Sequence, residues 1–135
     1  MHRILIVDDE TDVRDALKRV LERAGYTVVA VESAAAGFEE LRQASVDVVI
    51  TDIIMPKVNG VEAIHEIRAS FPKVRIIAIS GGGNFGITAY QPNAITTTAY
   101  LAAAEKAGAH LILTKPFESK DLVQAVESVL GVGHA

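Results

Sequence analysis

Residues 4–10 read ILIVDDE. The apolar residues Ile4, Leu5, Ile6 and Val7 run without alternation and end on two adjacent acids, Asp8 and Asp9. Alternation would mark a strand with one wet face. A continuous run rich in β-branched residues marks a strand covered on both faces, as in a parallel sheet held between helices. Three similar runs follow: Val48-Val49-Ile50, Ile76-Ile77-Ala78-Ile79 and Leu111-Ile112-Leu113. A fifth strand, Tyr26 to Val31, is more exposed in pattern.

Helical spacing fills the gaps. Val13, Leu17, Val20, Leu21 and Ala24 recur on one helical face, and Gly25 stops that helix. Ala34 to Leu41 gives a second helix. Val61, Ile64, Ile67 and Phe71 give a third, ended at Pro72. A further helix is expected over about residues 94–107, and Leu122, Val126, Val129 and Leu130 mark the last. Five strand-then-helix units predict an α/β fold: a doubly wound, five-stranded parallel sheet with right-handed crossovers and helices on both faces.

Composition bounds the function. A chain of 135 residues, half of them apolar and 22% charged, is one soluble domain by size. The net charge of -4 and the lack of a basic run argue against a nucleic-acid-binding surface. There is no cysteine, hence no disulfide framework and no zinc–thiolate site. The apolar stretch at the N-terminus is too short for a secretion signal or a membrane span, which predicts a cytoplasmic protein.

The stretch ISGGGNFG, residues 79–86, fits G-x-G-x-x-G and follows a strand. A dinucleotide cradle normally joins the first strand to the first helix, which begins at once. Here the glycines follow the fourth strand, and Pro92 interrupts any helix begun at Gly86. The nucleotide reading is therefore set aside.

In an open parallel sheet, ligands sit beyond the carboxyl ends of the strands. The first strand ends in Asp8-Asp9, the third in Asp52, the fourth in Ser80 and the fifth in Lys115. Singly, each has an ordinary explanation as a helix-start acid, a turn residue or a solvated lysine. Together they place three carboxylates, a hydroxyl and an ammonium along one sheet edge. Clustered carboxylates repel one another, and a hard divalent cation removes the conflict. An oxygen-only donor set suits Mg²⁺ better than zinc. Carboxylate-held metal beside a lysine and a hydroxyl makes a phosphoryl site. With no Ser–His or Cys–His pair in evidence, the nucleophile is a carboxylate, giving an aspartyl-phosphate. Asp52, central in the sheet and alone at its strand end, is the best choice.

The motifs ILIVDDE, DVVITDIIMPKVNGVEAI, IIAIS and GAHLILTKPF, in this order, resemble the receiver domain of bacterial two-component response regulators, of the flavodoxin-like chemotaxis-regulator type. The resemblance covers nearly the whole chain. It implies Asp52 as phosphoacceptor, Asp8 and Asp9 as the acidic metal pair, Ser80 as the switch hydroxyl and Lys115 as the phosphate partner. It also implies that the backbone carbonyl of Ile54 completes the Mg²⁺ shell, and that the Lys115-Pro116 bond is cis. The partner would be a histidine kinase or a histidine phosphotransfer protein, and the domain would catalyse its own phosphorylation.

This sequence departs from the pattern in two places. The aromatic that often stands three residues before the lysine is Ile112, which has no hydroxyl to pair with the switch residue. The chain from Ser80 to Gly108 is also roughly a dozen residues longer than the family pattern, beyond a usual βα loop. The glycine run opens this extended segment, giving the chain freedom to turn after Ser80. Phe85, Tyr90 and Tyr100, three of the seven aromatics, fall within it, a composition that suits a binding role; the alternative is a tolerated surface insertion whose aromatics pack the loop down.

Fast-dephosphorylating receivers tend to carry polar side chains two residues after the phosphoacceptor and two after the switch hydroxyl. Ile54 and Gly82 stand there, which predicts slow dephosphorylation. The expectation is a single receiver domain over residues 1–135, standing alone or cut from a longer regulator, with no membrane association. The rival readings are a Mg²⁺-dependent phosphohydrolase with an aspartyl-phosphate intermediate, and a receiver used for binding alone. The first strand's Asp8-Asp9-Glu10 lacks the D-x-D motif of such hydrolases.

Overall fold

The computed structural model describes residues 2–52, 54–55, 58–80, 106–114 and 117–131; at 54, 55, 58–60 and 80 the backbone alone is described. In chain order the elements are β1 (Arg3–Val7), α1 (Thr11–Arg23), β2 (Thr27–Val31), α2 (Ala34–Gln43), β3 (Val48–Asp52), β4 (Ile54–Met55), β5 (Val58–Asn59), α3 (Gly60–Ser70), β6 (Arg75–Ser80), β7 (Leu111–Thr114) and α4 (Ser119–Leu130). Five strands form one sheet in the order β2-β1-β3-β6-β7, with every neighbouring pair parallel. This is the doubly wound parallel sheet that the apolar runs predict, in the flavodoxin-like strand order that the resemblance implies. The two-residue strands β4 and β5 pair antiparallel beside it, a feature absent from the sequence reading. Of the further helix expected over about 94–107, Lys106 and Ala107 are helical and the rest lies outside the described residues.

The continuous apolar runs are explained by burial on both faces. Ile4, Leu5, Ile6, Val48, Val49, Ile50, Ile76, Ile77 and Ala78 are fully buried. On one face Ile4, Ile6, Val48, Ile50, Ile77 and Ile79 pack with Leu17 and Leu21 of α1 and with Leu122 and Val126 of α4. On the other, Leu5, Val7, Val49, Ile76 and Ala78 pack with Leu41 of α2 and with Ile64 and Ile67 of α3. Each of these valine, leucine and isoleucine side chains contributes about 1.5–3 kcal/mol relative to exposure. β2 lies at the sheet edge with Val28 alone buried, which accounts for its more polar pattern.

Local signals place the helices. Gly25 follows α1 at φ +100°, a left-handed conformation that side chains disfavour, and the chain reverses there into β2. Ser33 caps α2 by accepting the Ala36 N–H at 3.1 Å. Glu118 and Asp121 form a reciprocal capping box at the start of α4.

The register is pinned from the far end of the sheet. Asp47 Oδ2 accepts the Arg3 N–H at 2.8 Å, its own N–H donates to Arg3 O at 2.9 Å, and its carbonyl accepts the Arg75 N–H at 3.0 Å. One residue thus aligns the starts of β1, β3 and β6. β1 and β3, each five residues long, stay in register to Val7 beside Thr51, and β3 stays in register with β6 to Asp52 beside Ile79, which delivers their last residues to one edge. The chain leaves β1 for β2 on one side and returns to β3 on the other, so strand order reverses between β1 and β3. The crevice at that reversal is where such sheets bind ligands.

Candidate functional site

Val7 pairs with Thr51 across β1 and β3, so Asp8 and Asp52 stand one step further along the same two neighbouring strands. Asp52 pairs in turn with Ile79 of β6 and follows Ile50 by two residues, which puts it on the α1 and α4 face. Asp8 is 1% exposed and Asp52 4% exposed. Two acids are therefore buried side by side at the reversal point. Carboxylates are seldom buried to this degree without partners or a cation, because leaving water costs each ion several kcal/mol.

Asp8 is held from several directions. Its N–H donates to Val31 O at 3.1 Å, its Oδ1 accepts the Glu10 N–H at 2.9 Å, and its carbonyl accepts from Arg14 Nη1 at 2.9 Å. Thr51, 2% exposed, donates its hydroxyl to the Asp52 carbonyl at 3.2 Å. Asp9, the next residue in the β1–α1 loop, is exposed. Among the described residues no three carboxylate, imidazole or thiol groups converge closely enough to hold a metal. The buried core of the site is thus a pair of acids. A pair is sufficient for Mg²⁺, which commonly takes one or two carboxylates and completes its shell with water and phosphate oxygens. The donor chemistry fits.

The other expected site residues are placed in part. Ser80 closes β6, its backbone paired with Thr114. Ile54 opens the small hairpin two residues after Asp52, paired with Asn59. Lys115, the Lys115-Pro116 bond and residues 81–92 lie outside the described residues. Ile112 pairs with Ala78 and packs inward, against the cluster of Ile64 and Ile67. The position therefore serves the core on the α3 side. Sequence reasoning passed over Arg14 and Asp47. A cation in the first turn of a helix, at the disfavoured end of the dipole, was the available signal for Arg14.

Residues 4–127 match the family model described as the response regulator receiver domain. The chain belongs to the response regulator receiver family. It is 31% identical to the response regulator receiver protein CpdR of Brucella abortus, over 96% of this chain and 98% of that one. It is 33% identical to the DNA-binding transcriptional regulator NtrC of a Bradyrhizobium species, where the match covers 94% of this chain but 24% of the larger protein. Receivers of this kind therefore occur by themselves and joined to output domains. Among solved structures, the response regulator TrrA of Thermotoga maritima, in complex with Mg(2+)-BeF, superposes with a TM-score of 0.76 at 29% identity, over 96% of this chain and 99% of that one. The chain is accordingly a receiver domain of two-component systems, a family that generally accepts phosphoryl groups and works with histidine kinases or phosphotransfer proteins. No helix among the described residues is long and apolar enough to cross a membrane.

Proposed function

We propose that this receiver accepts a phosphoryl group on Asp52 from a histidine kinase or histidine phosphotransfer protein, and signals through that modification. The observation that carries the reading is the side-by-side burial of Asp8 and Asp52 at the exit edge of β1 and β3. In this reading residues 1–135 form one domain acting in the cytoplasm through protein contacts, without nucleic-acid or membrane binding of its own.

Asp8 and Asp52, with the Ile54 carbonyl, would hold Mg²⁺, and the exposed Asp9 would complete the acidic set by turning in from the β1–α1 loop, in keeping with the Mg(2+)-BeF complex of TrrA. When bound, the ion supplies positive charge against both the acids and the phosphoryl oxygens. The chain's own residues do the rest. An Asp52 carboxylate oxygen attacks phosphorus; the O–P bond forms as the P–N bond to the donor imidazole breaks, and the imidazole leaves with the electron pair and takes up a proton. Lys115 would pair with one phosphoryl oxygen, and the Ser80 hydroxyl would donate to another. The bond from Glu10 N–H to Asp8 Oδ1 suits a ligand that must keep its aim while Asp52 reacts.

Incubation with a small-molecule phosphodonor and Mg²⁺, read by intact mass, tests this. The wild type should gain one phosphoryl group and Asp52→Asn none; equal gain by the variant would overturn the assignment.

A further inference from the structure

We propose that Arg14 is a positioning residue for the acidic loop, fixing the backbone from which Asp8 and Asp9 would reach a divalent cation; this rests on the Mg²⁺ reading above. Arg14 lies in the first turn of α1, where the helix dipole favours anions. A cation there needs a compensating partner, and the structure supplies two. The half-buried Arg14 side chain reaches back over the loop, donating from Nη1 to the Asp8 carbonyl at 2.9 Å and from Nη2 to Thr11 Oγ1 at 3.3 Å. Its own backbone N–H donates to Glu10 O at 2.9 Å. One guanidinium therefore spans the end of β1 and the start of α1, with Asp9 and Glu10 between its anchor points. Glu10, the N-cap, makes no side-chain capping bond, and these Arg14 contacts hold the loop together with the Glu10 N–H bond to Asp8 Oδ1 and the Asp8 N–H bond to Val31 O. Two donors in a fixed planar fork define the loop as a single ammonium cannot.

Charge and positioning predict opposite signs. Removing a nearby positive charge, by itself, would strengthen binding of a cation. Loosening the loop would weaken it, because groups that orient metal ligands typically change affinity by about tenfold or more. Positioning is expected to win, because the exposed side of the loop is screened by solvent while ligand aim is not.

The test is titration of purified, metal-free protein with MgCl₂ by calorimetry, together with hydrogen exchange of the Glu10 amide before metal is added. Arg14→Ala should raise the Mg²⁺ dissociation constant by about tenfold and speed exchange at Glu10. Arg14→Lys, which keeps the charge and one donor, should give a smaller rise in the same direction and carries the test if the alanine variant does not fold. A dissociation constant that is unchanged or lower in both variants, with unchanged Glu10 exchange, overturns the role. Asp9→Ala separates the two claims. If the wild type binds, Asp9→Ala weakens binding and Arg14→Ala does not, the metal reading stands and the Arg14 role alone falls. If the wild type does not bind Mg²⁺, the metal reading falls, and the Arg14 role with it.

Discussion

Gly37 of α2 lies so close to Val7 of β1 that a Cβ at position 37 would stand 3.0 Å from Val7 Cγ2. Leu5 and Val31 bound the same space, each 3.7 Å from that point. The contact matters for function because Val7 immediately precedes Asp8. The absence of a side chain on α2 lets the helix sit directly against the strand that delivers the first acid.

Gly37→Ala therefore sets two effects against each other. Alanine gains about 1 kcal/mol of helix propensity, while crowding a packed contact costs about 1–3 kcal/mol. The expected result is a net loss of about 1 kcal/mol, a melting point lower by about 4 °C. Thermal denaturation checks this, and a raised melting point would show that α2 can move off the sheet without cost.

The sequence displayed the sheet because burial on both faces leaves a local signature. Ile4–Val7 and Ile76–Ile79 read as buried parallel strands without knowledge of their neighbours. The family motifs then named the acids. What stayed hidden is made by partners distant in the chain. Asp47 reads as an ordinary loop acid, yet it reaches residues 44 positions earlier and 28 later to pin the register. The β4–β5 hairpin is too short for any periodicity to show. Gly37 reads as a weak helix residue until the strand beneath it is seen.

His110 is another long-range case, with a pH dependence attached. Just before β7, it donates its backbone N–H to Ile76 O at 2.8 Å and accepts the Ile76 N–H on Nδ1 at 3.0 Å. Nδ1 can accept only while the imidazole is neutral. Partial burial, and then the nearby cations Arg68 and Arg75, lower the His110 pKa. With the folded value depressed, the unfolded chain binds more protons in the window below the ordinary pKa of about 6.5. The His110 contribution to stability is thus complete above that pH and lost as pH falls toward the folded value. Melting points should decline as pH drops below about 6.5, and His110→Asn, which keeps an acceptor at every pH, should flatten that part of the profile. Superimposable pH profiles would contradict the neutral-acceptor role.

Asp9 is exposed while Asp8 is buried, so their substitutions should differ. Asp9→Ala is expected to fold normally and to raise the Mg²⁺ dissociation constant by about tenfold, the loss of one charged ligand. Melting curves and a Mg²⁺ titration check both halves. An unchanged titration would remove Asp9 from the site.

Dephosphorylation should be slow. Hydrolysis of an acyl phosphate needs a positioned water, and Ile54 and Gly82 offer no polar group to hold one. The pair Ile54→Asn and Gly82→Glu is expected to speed loss of the phosphoryl group by about tenfold, roughly 1.4 kcal/mol of barrier. Decay of phosphoprotein after donor removal, at constant Mg²⁺, is the measurement. A fast wild-type decay that the double variant leaves unaltered would show that other groups place the water.

Asp52, and none of the loop acids Asp8, Asp9 and Glu10, is expected to carry the phosphoryl group. Borohydride reduces an acyl phosphate to an alcohol, so reducing the phosphorylated protein and mapping its peptides reads the position directly. Homoserine is expected at position 52 in the wild type, in an amount matching the phosphorylated fraction. Homoserine at position 8 or 9, or a phosphoryl group that resists reduction because it sits on a serine or threonine, would contradict it.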